Sequence, residues 1–192
     1  MTSDPIARFK EVLSRAEKAG IELFNAAAFA TTGRDSQPSV RILLLKDADE
    51  RGFVFYTNMK SVKARQLQDN ARAAACFWWV QLHEQVRIEG PVEVVGDDEA
   101  DAYFATRPRG SQIGAWASDQ SSELASSDAL TVAVKTLESK YLDQPVPRPP
   151  HWSGYRLVPE RIEFWLGRND RLHERYLYTR QDDGWKISLL AP

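Results

Sequence analysis

Between Ala27 and Leu190 the chain lays down one short run of strand length after another and breaks each with turn-forming residues. That punctuation leaves little room for an all-helical or doubly wound fold. The strand-like segments are Ala27 to Thr32, Val40 to Lys46, Phe53 to Thr57, Ala73 to Val80 and Gln85 to Val95. Four more follow late in the chain: Gly154 to Val158, Arg161 to Trp165, Leu172 to Tyr178 and Trp185 to Leu190. Gly33 to Pro38 is a turn cluster, and Asp47 to Gly52 reads as a hairpin connection. The loop Gln81 to Glu84 is too short for a crossover, so its flanking strands should pair antiparallel.

Helices fill the gaps. Asp4-Pro5 is a capping residue followed by proline at the first helical position, and Gly20 closes the element. Ser61 to Asp69 and Asp97 to Thr106 follow, the latter opening on acidic residues that suit a helix start. Leu130, Val134, Leu137 and Tyr141 mark a further amphipathic helix. Pro145, Pro147, Pro149 and Pro150 form a stiff connector, with too little chain after it for a second core. The expected architecture is mainly β with packed helices, a small β-barrel forming a single domain over residues 1–192.

Charge narrows the function. The net charge is −2, so no global basic field is available for nucleic acid or an anionic membrane. An anionic ligand must be held by a local cluster of arginine and lysine. The longest clearly apolar run, Ala73 to Val80, falls far short of the roughly 20 residues of a membrane-spanning helix. The first residues show no basic segment leading into an apolar one, so a signal peptide is not expected and the cytoplasm is the expected compartment. The single cysteine, Cys76, can form no internal disulfide and reads as a core residue. His83, His151 and His173 are far apart in sequence and suggest no metal site; His83 reads as solvated and His151 as structural. Trp78-Trp79 reads as core or subunit interface. No dinucleotide fingerprint, Walker loop or nucleophile elbow is present.

Four stretches carry candidate chemistry. Arg41 and Lys46 bracket an apolar strand and would emerge on opposite faces. Tyr56-Thr57 leads into Ser61 and Lys63 at a helix start, where free N–H groups favour phosphate. Tyr103 and Arg107 stand four apart on one helical face, Pro108 should end that helix, and Ser111 follows within reach; together they suit a second phosphate. Finally, Arg171, His173 and Arg175 alternate along an expected strand. Side by side on one face they would repel without an anionic or electron-rich ligand.

In this order the motifs resemble the pyridoxamine 5'-phosphate oxidase family. The resemblance runs from about Asp4 to Pro192 and rests on Arg41 to Lys46, Gly52 to Asn58, Gln85 to Gly90, Tyr103 to Ser118, Gln120-Ser121, His151-Trp152, Arg161 to Trp165 and Arg171 to Arg175. It implies an FMN-binding split β-barrel that works as a homodimer, with FMN in clefts at the subunit interface. By resemblance, FMN would be held by Arg41, Ile42, Leu43, Leu44, Leu45, Lys46, Tyr56, Thr57, Ser61 and Lys63. Gln85, Gln120, Ser121, Trp165 and Arg175 would complete that set, some from the partner subunit. The substrate phosphate would fall to Tyr103, Arg107 and Ser111 with Lys46 nearby, while Arg171 and His173 would face the substrate ring and reacting carbon. The implied reaction oxidises pyridoxamine or pyridoxine 5'-phosphate to pyridoxal 5'-phosphate and reduces dioxygen to hydrogen peroxide. The competing readings are a related flavoenzyme acting on a phenazine-type substrate and a non-catalytic FMN or pyridoxal-phosphate binding protein. Against the family pattern, Val62 stands in place of a usual arginine, Leu166 in place of a glutamine and Leu189 in place of an arginine, and a shorter N-terminal arm than in many members is expected.

Overall fold

A computed structural model describes residues 2–192. Helix α1 (Pro5–Lys18) begins where the Asp4 carboxylate accepts from the Ile6 N–H at 2.8 Å. Its apolar stripe of Ile6, Phe9, Val12 and Ala16 is buried. Phe9 meets Phe53 and Phe77 edge-on, at ring-centroid distances of 4.9 and 5.0 Å, and so anchors the helix to the barrel.

Strands β1 (Ala26–Thr32), β2 (Pro38–Leu44), β3 (Asp47–Asp49) and β4 (Gly52–Asn58) come next, then helix α2 (Val62–Asp69), β5 (Arg72–Trp79) and the long β6 (Glu84–Val94). The expected 47–52 connection is itself a miniature hairpin, with Asp47 opposite Val54 and Asp49 opposite Gly52. β5 and β6 pair antiparallel, as their short loop demands. Three helices follow: α3 (Asp97–Thr106), α4 (Arg109–Ala117) and α5 (Ser127–Lys140). The chain ends in β7 (Trp152–Leu157), β8 (Arg161–Leu166), β9 (Glu174–Gln181) and β10 (Gly184–Leu190).

One run of hydrogen-bonded strands reads β10-β9-β8-β6-β5-β1-β2. β6 belongs to two sheets. Its first part pairs with β5 and β8, whereas Val92 to Val94 pair with β7, which in turn pairs with β4. This shared, bent strand splits the barrel into two curled halves. The bend requires close backbone approach at Gly90, where a Cβ would lie 2.0 Å from the Val158 carbonyl oxygen. Inside lie Phe9, Phe29, Phe53, Phe55, Phe77 and Ile88. A second apolar cluster, built from Phe104, Ile113, Tyr141, Val146 and Trp152, packs α3, α4 and α5 over the β7 end. Among the described residues, no helix is long and apolar enough to cross a membrane.

Four local expectations change. Helix α4 was not anticipated: Pro108 ends α3 but also caps a new helix, which its fixed φ permits. The strand around Arg41 stops at Leu44, so Lys46 lies beyond it. The strand expected from Leu172 starts at Glu174, leaving Arg171 and His173 in the turn before it. Cys76 is half-buried, because Ala75, Phe77 and Trp79 take the inward face of β5 and Cys76 the other. Trp79 is core, whereas Trp78 on that second face is half exposed, at 50%.

Candidate active site

Two adjoining cavities open where β2, the end of β4, the start of α2 and helix α4 converge, and Leu43 and Gln120 wall both. The first, of about 330 Å³, is lined by Tyr56, Thr57, Arg107, Ser111 and Trp152. The second, of about 450 Å³, is lined by Ser39, Arg41, Val62, Lys63 and Ser121.

Local structure explains why cations face the second cavity. Ser61 caps α2 by accepting from the Ala64 N–H, which puts Lys63 in the first helical turn. Its ammonium is buried and donates to Gln120 Oε1 at 2.9 Å, Thr57 Oγ1 at 3.0 Å and Ser61 Oγ at 3.3 Å. Burial, reinforced by Arg41, pulls the Lys63 pKa down to about 8. Arg41 donates across to Thr31 Oγ1 on β1 (2.5 Å) and back along β2 to Ser39 Oγ (2.6 Å), and burial lowers its pKa too. Ser121 holds a left-handed backbone (φ 73°) and its hydroxyl accepts from the Val62 N–H at 3.4 Å. Two desolvated cations beside a helix start and a hydroxyl turn form a donor set suited to a phosphate.

A phosphate dianion on Lys63 would favour its ammonium form. The folded pKa is depressed, so binding above about pH 8 must take up a proton. Affinity for a phosphorylated cofactor is therefore expected to fall by up to about tenfold per pH unit above that point and to be flat below it. Titrating FMN by flavin fluorescence from pH 7 to 9.5 measures this; an affinity unchanged across that range would place the phosphate away from Lys63.

The first cavity centres on Arg107. This residue does not share a helical face with Tyr103, because α3 ends at Thr106 and Arg107 is extended (φ −70°, ψ 147°) in the kink before α4. The kink turns its guanidinium over the Trp152 ring at 4.7 Å. Nη1 of Arg107 is buried without a hydrogen-bond partner, and burial lowers the pKa of the group. Leaving such a donor unsatisfied costs about 1–3 kcal/mol, which a bound anion would recover. Ser111 stands one turn into α4. Tyr103 stacks on Tyr56 (4.1 Å, 14°), and Tyr56 on Trp152 (5.1 Å, 4°). Burial raises the Tyr56 phenol to about 12, so it stays neutral.

Of that run, Ile42 and Leu43 line the second cavity and Leu43 also the first, whereas Leu44 is half-buried and Leu45 is in the core, and neither of these two lines either cavity. Lys46 is exposed and borders a different groove, with Lys10, Leu13 and Phe24.

A second group lies elsewhere. Gln85, Trp165 and Arg175 are direct register neighbours across β6, β8 and β9. Arg175 donates to the buried Glu163 at 2.8 Å and to the Ala191 carbonyl at 2.9 Å, and Glu163 keeps it firmly cationic. His173 rests against Trp165 (4.5 Å), and its Nδ1 accepts from the Arg168 N–H, so the neutral ring carries its proton on Nε2. Asp170 and Arg171 both adopt left-handed backbone (φ 56° and 59°), a strained pair that presents the exposed Arg171 at the tip of the turn. None of this second group lines either cavity. Along the sheet, β9 and β2 are five strand steps apart, roughly 24 Å at 4.8 Å per step. Sequence reading also missed residues that line the first cavity, Asn58, Gly114 and Ser118; Gly114 and Ser118 belong to the unanticipated α4 and its cap.

A split antiparallel barrel with phosphate-suited cavities under a helical cap defines the class of split-barrel flavoproteins. Residues 13–141 match the family model described as pyridoxamine 5'-phosphate oxidase. Residues 152–192 match the pyridoxine 5'-phosphate oxidase C-terminal dimerisation region. The chain is 56% identical over 189 residues to a pyridoxine/pyridoxamine 5'-phosphate oxidase of Myxococcus xanthus, covering 98% of this chain and 92% of that one. It is 49% identical to the protein of that name in Acaryochloris marina, covering 100% and 88%. Among solved structures it resembles PhzG of Burkholderia lata in complex with tetrahydrophenazine-1-carboxylic acid, with a TM-score of 0.95, 34% identity and coverage of 100% and 94%. A Nostoc punctiforme FMN-binding protein shares the fold, with a TM-score of 0.79 at 18% identity and full coverage of both chains. The chain belongs to the pyridoxamine 5'-phosphate oxidase family. It is an oxidase whose cofactor is FMN.

Proposed function

We propose that the protein oxidises pyridoxamine 5'-phosphate and pyridoxine 5'-phosphate to pyridoxal 5'-phosphate, with dioxygen as the final acceptor and hydrogen peroxide as by-product. The observation that carries this reading is the buried, unpartnered Arg107 Nη1, which lines one cavity together with Ser111 next to a second, cationic cavity. Relatives at 49–56% identity that carry this activity in their names support it.

The residues present fit both ligands. Arg41, Lys63, Ser121 and the α2 start would grip the FMN phosphate, and Gln85, Trp165 and Arg175 would meet its ring system. Bound FMN supplies the two-electron acceptor. Arg107 and Ser111 would hold the substrate phosphate, fixing the reacting carbon at a set distance from the ring. Arg171 would pin the substrate ring, and His173 would orient the exocyclic group and accept its proton. The Arg175 cation, held by Glu163, would stabilise negative charge arising beside it. The substrate loses a hydride and a proton; with the amine, water then releases ammonia from the resulting imine.

Because Gln85, Trp165, Arg171, His173 and Arg175 line neither cavity, one complete site would take one group from each of two subunits. The match of 152–192 to a dimerisation region supports a homodimer. The likeness to PhzG favours one second reading, oxidation of a phenazine-type carboxylate, whose anionic group would take the Arg107 seat.

Mixing the purified protein with FMN and pyridoxine 5'-phosphate in air tests the proposal. Formation of pyridoxal 5'-phosphate with an equal amount of peroxide is expected. No turnover at saturating FMN, or turnover confined to a phenazine carboxylate, would sink it.

Val62 lines the second cavity and is 40% exposed, so an arginine there has room to reach a phosphate. Val62→Arg is expected to tighten FMN binding by roughly tenfold, the lower end of one charge-assisted hydrogen bond. Equilibrium dialysis of flavin against both proteins checks it.

A further inference from the structure

We infer that Arg148, in the proline-rich connector, is a positioning residue that sets the Arg107 anion seat; this rests on the reading of Arg107 given above. Arg148 stands among Pro145, Pro147, Pro149 and Pro150, a segment to which the chemistry so far assigns no task. Its side chain is only 13% exposed and makes bonds in three directions. Nη2 donates to Asp97 at 2.7 Å, Nε donates to Asp101, and Nη1 donates to the Trp152 carbonyl at 2.8 Å. Asp97 and Asp101 are one turn apart on α3, so the spread donors of a single planar guanidinium reach both where one compact ammonium is less suited to do so.

The two things Arg148 joins are the two that define the seat. Helix α3 delivers Arg107 from its far end, and Trp152 is the plate on which the Arg107 guanidinium lies, at 4.7 Å. On its other side α4 holds the connector through Trp116 Nε1, which donates to the Pro147 carbonyl at 2.7 Å, and holds the segment leading into it through Arg109, which donates to the Tyr141 and Gln144 carbonyls. Proline supplies carbonyls there without competing N–H groups and restricts the segment's motion. The connector thus braces α3 and α4, which supply Arg107 and Ser111.

Loss of Arg148 should not unfold the protein. Asp97 and Asp101 are 85% and 60% exposed, and ion pairs with exposed partners contribute little to stability. Arg156 still grips Glu99 of α3 through two bonds, at 2.7 and 2.8 Å. The helix should stay docked but lose its fixed angle over Trp152, and small misplacements of a binding group are costly.

The test uses FMN-loaded Arg148→Ala and Arg148→Lys proteins, with Arg107→Ala as reference. Expected for Arg148→Ala are a rise of roughly tenfold in both KM for pyridoxine 5'-phosphate and Kd for added pyridoxal 5'-phosphate. Turnover should stay within about twofold and FMN affinity should be unchanged; Arg148→Lys should recover part of the loss. An unchanged KM in Arg148→Ala, with KM raised in Arg107→Ala, overturns the inference alone. A joint fall in turnover, FMN affinity and melting temperature also overturns it, since that marks general structural support. An unchanged KM in Arg107→Ala removes the reading of the anion seat and this inference with it.

Discussion

Arg107→Ala is expected to raise KM for pyridoxine 5'-phosphate by roughly 50- to 100-fold while changing turnover much less. The size follows from a charged hydrogen bond in a desolvated seat, about 2–3 kcal/mol, at 1.4 kcal/mol per factor of ten. The split between the two constants follows from the proposed place of the group: it would bind a phosphate that does not react, equally in ground and transition states. The same residue allows a stability test of opposite sign. Its buried Nη1 has no partner, and its guanidinium lies against Trp152 and Phe104. An unliganded protein with Arg107→Met replaces that unsatisfied donor by an apolar chain of similar length. Its melting temperature should match or exceed that of the parent, because a seat prepared for an anion is maintained at a cost to stability. Steady-state kinetics and a thermal melt of the unliganded protein check both halves. An unaltered KM together with a large drop in melting temperature would make Arg107 a structural residue.

Mixed dimers should regain activity that neither parent has. Homodimers of Arg107→Ala assayed at low substrate, and homodimers of Arg171→Ala, are each expected to lose at least about fiftyfold in kcat/KM. In a statistical mixture, half of the dimers carry one of each chain. If each site takes Arg107 from one subunit and Arg171 from the other, every such dimer has one site with both lesions and one with neither. About a quarter of all sites are then intact, and kcat/KM should return to about a quarter of the parent value. Co-expression with two affinity tags provides the mixture. Mixed dimers as inactive as their parents would mean that both arginines serve the same site from one chain.

The two groups line no common cavity, and apolar side chains are left outside the single chain. Val40, Ile42, Trp78, Leu172 and Leu189 are between 50% and 73% exposed in the single chain. Scattered exposed apolar residues are ordinary, but here they lie on or beside the strands that carry the site residues, as a subunit contact would require. Leu189 is one of the positions where the chain departs from the family pattern, and its 73% exposure places it within this set.

Much of the architecture was legible in the sequence. The pairing of β5 with β6 followed from a loop too short for anything else, and α1 and α2 began at their capping residues, Asp4 and Ser61. The cationic candidates were also legible one by one, because arginine and lysine beside apolar strand residues stand out. What failed was local conformation near turns. Arg171 and His173 looked like alternating strand residues, yet two successive left-handed residues, Asp170 and Arg171, hold them off the strand. Pro108 was read as a stop, although the same fixed φ that ends one helix can begin another, and Ile113 with Trp116 supplies the apolar spacing of that second helix.

By itself, the sequence determined where most strands lie along the chain, one antiparallel pair, the mainly β class and the inventory of charged side chains. Those depend on short-range rules: side-chain period, capping and loop length. Only the tertiary structure decided which charges share a cavity, that Arg107 is buried without a partner, that Lys63 is desolvated enough to titrate near pH 8, and that Arg171, His173 and Arg175 lie apart from both. The physical reason is that desolvation and pairing depend on packing between residues distant in the chain. The bend of β6 and the kink at Pro108 set that packing, and neither has a signature in hydrophobic period alone.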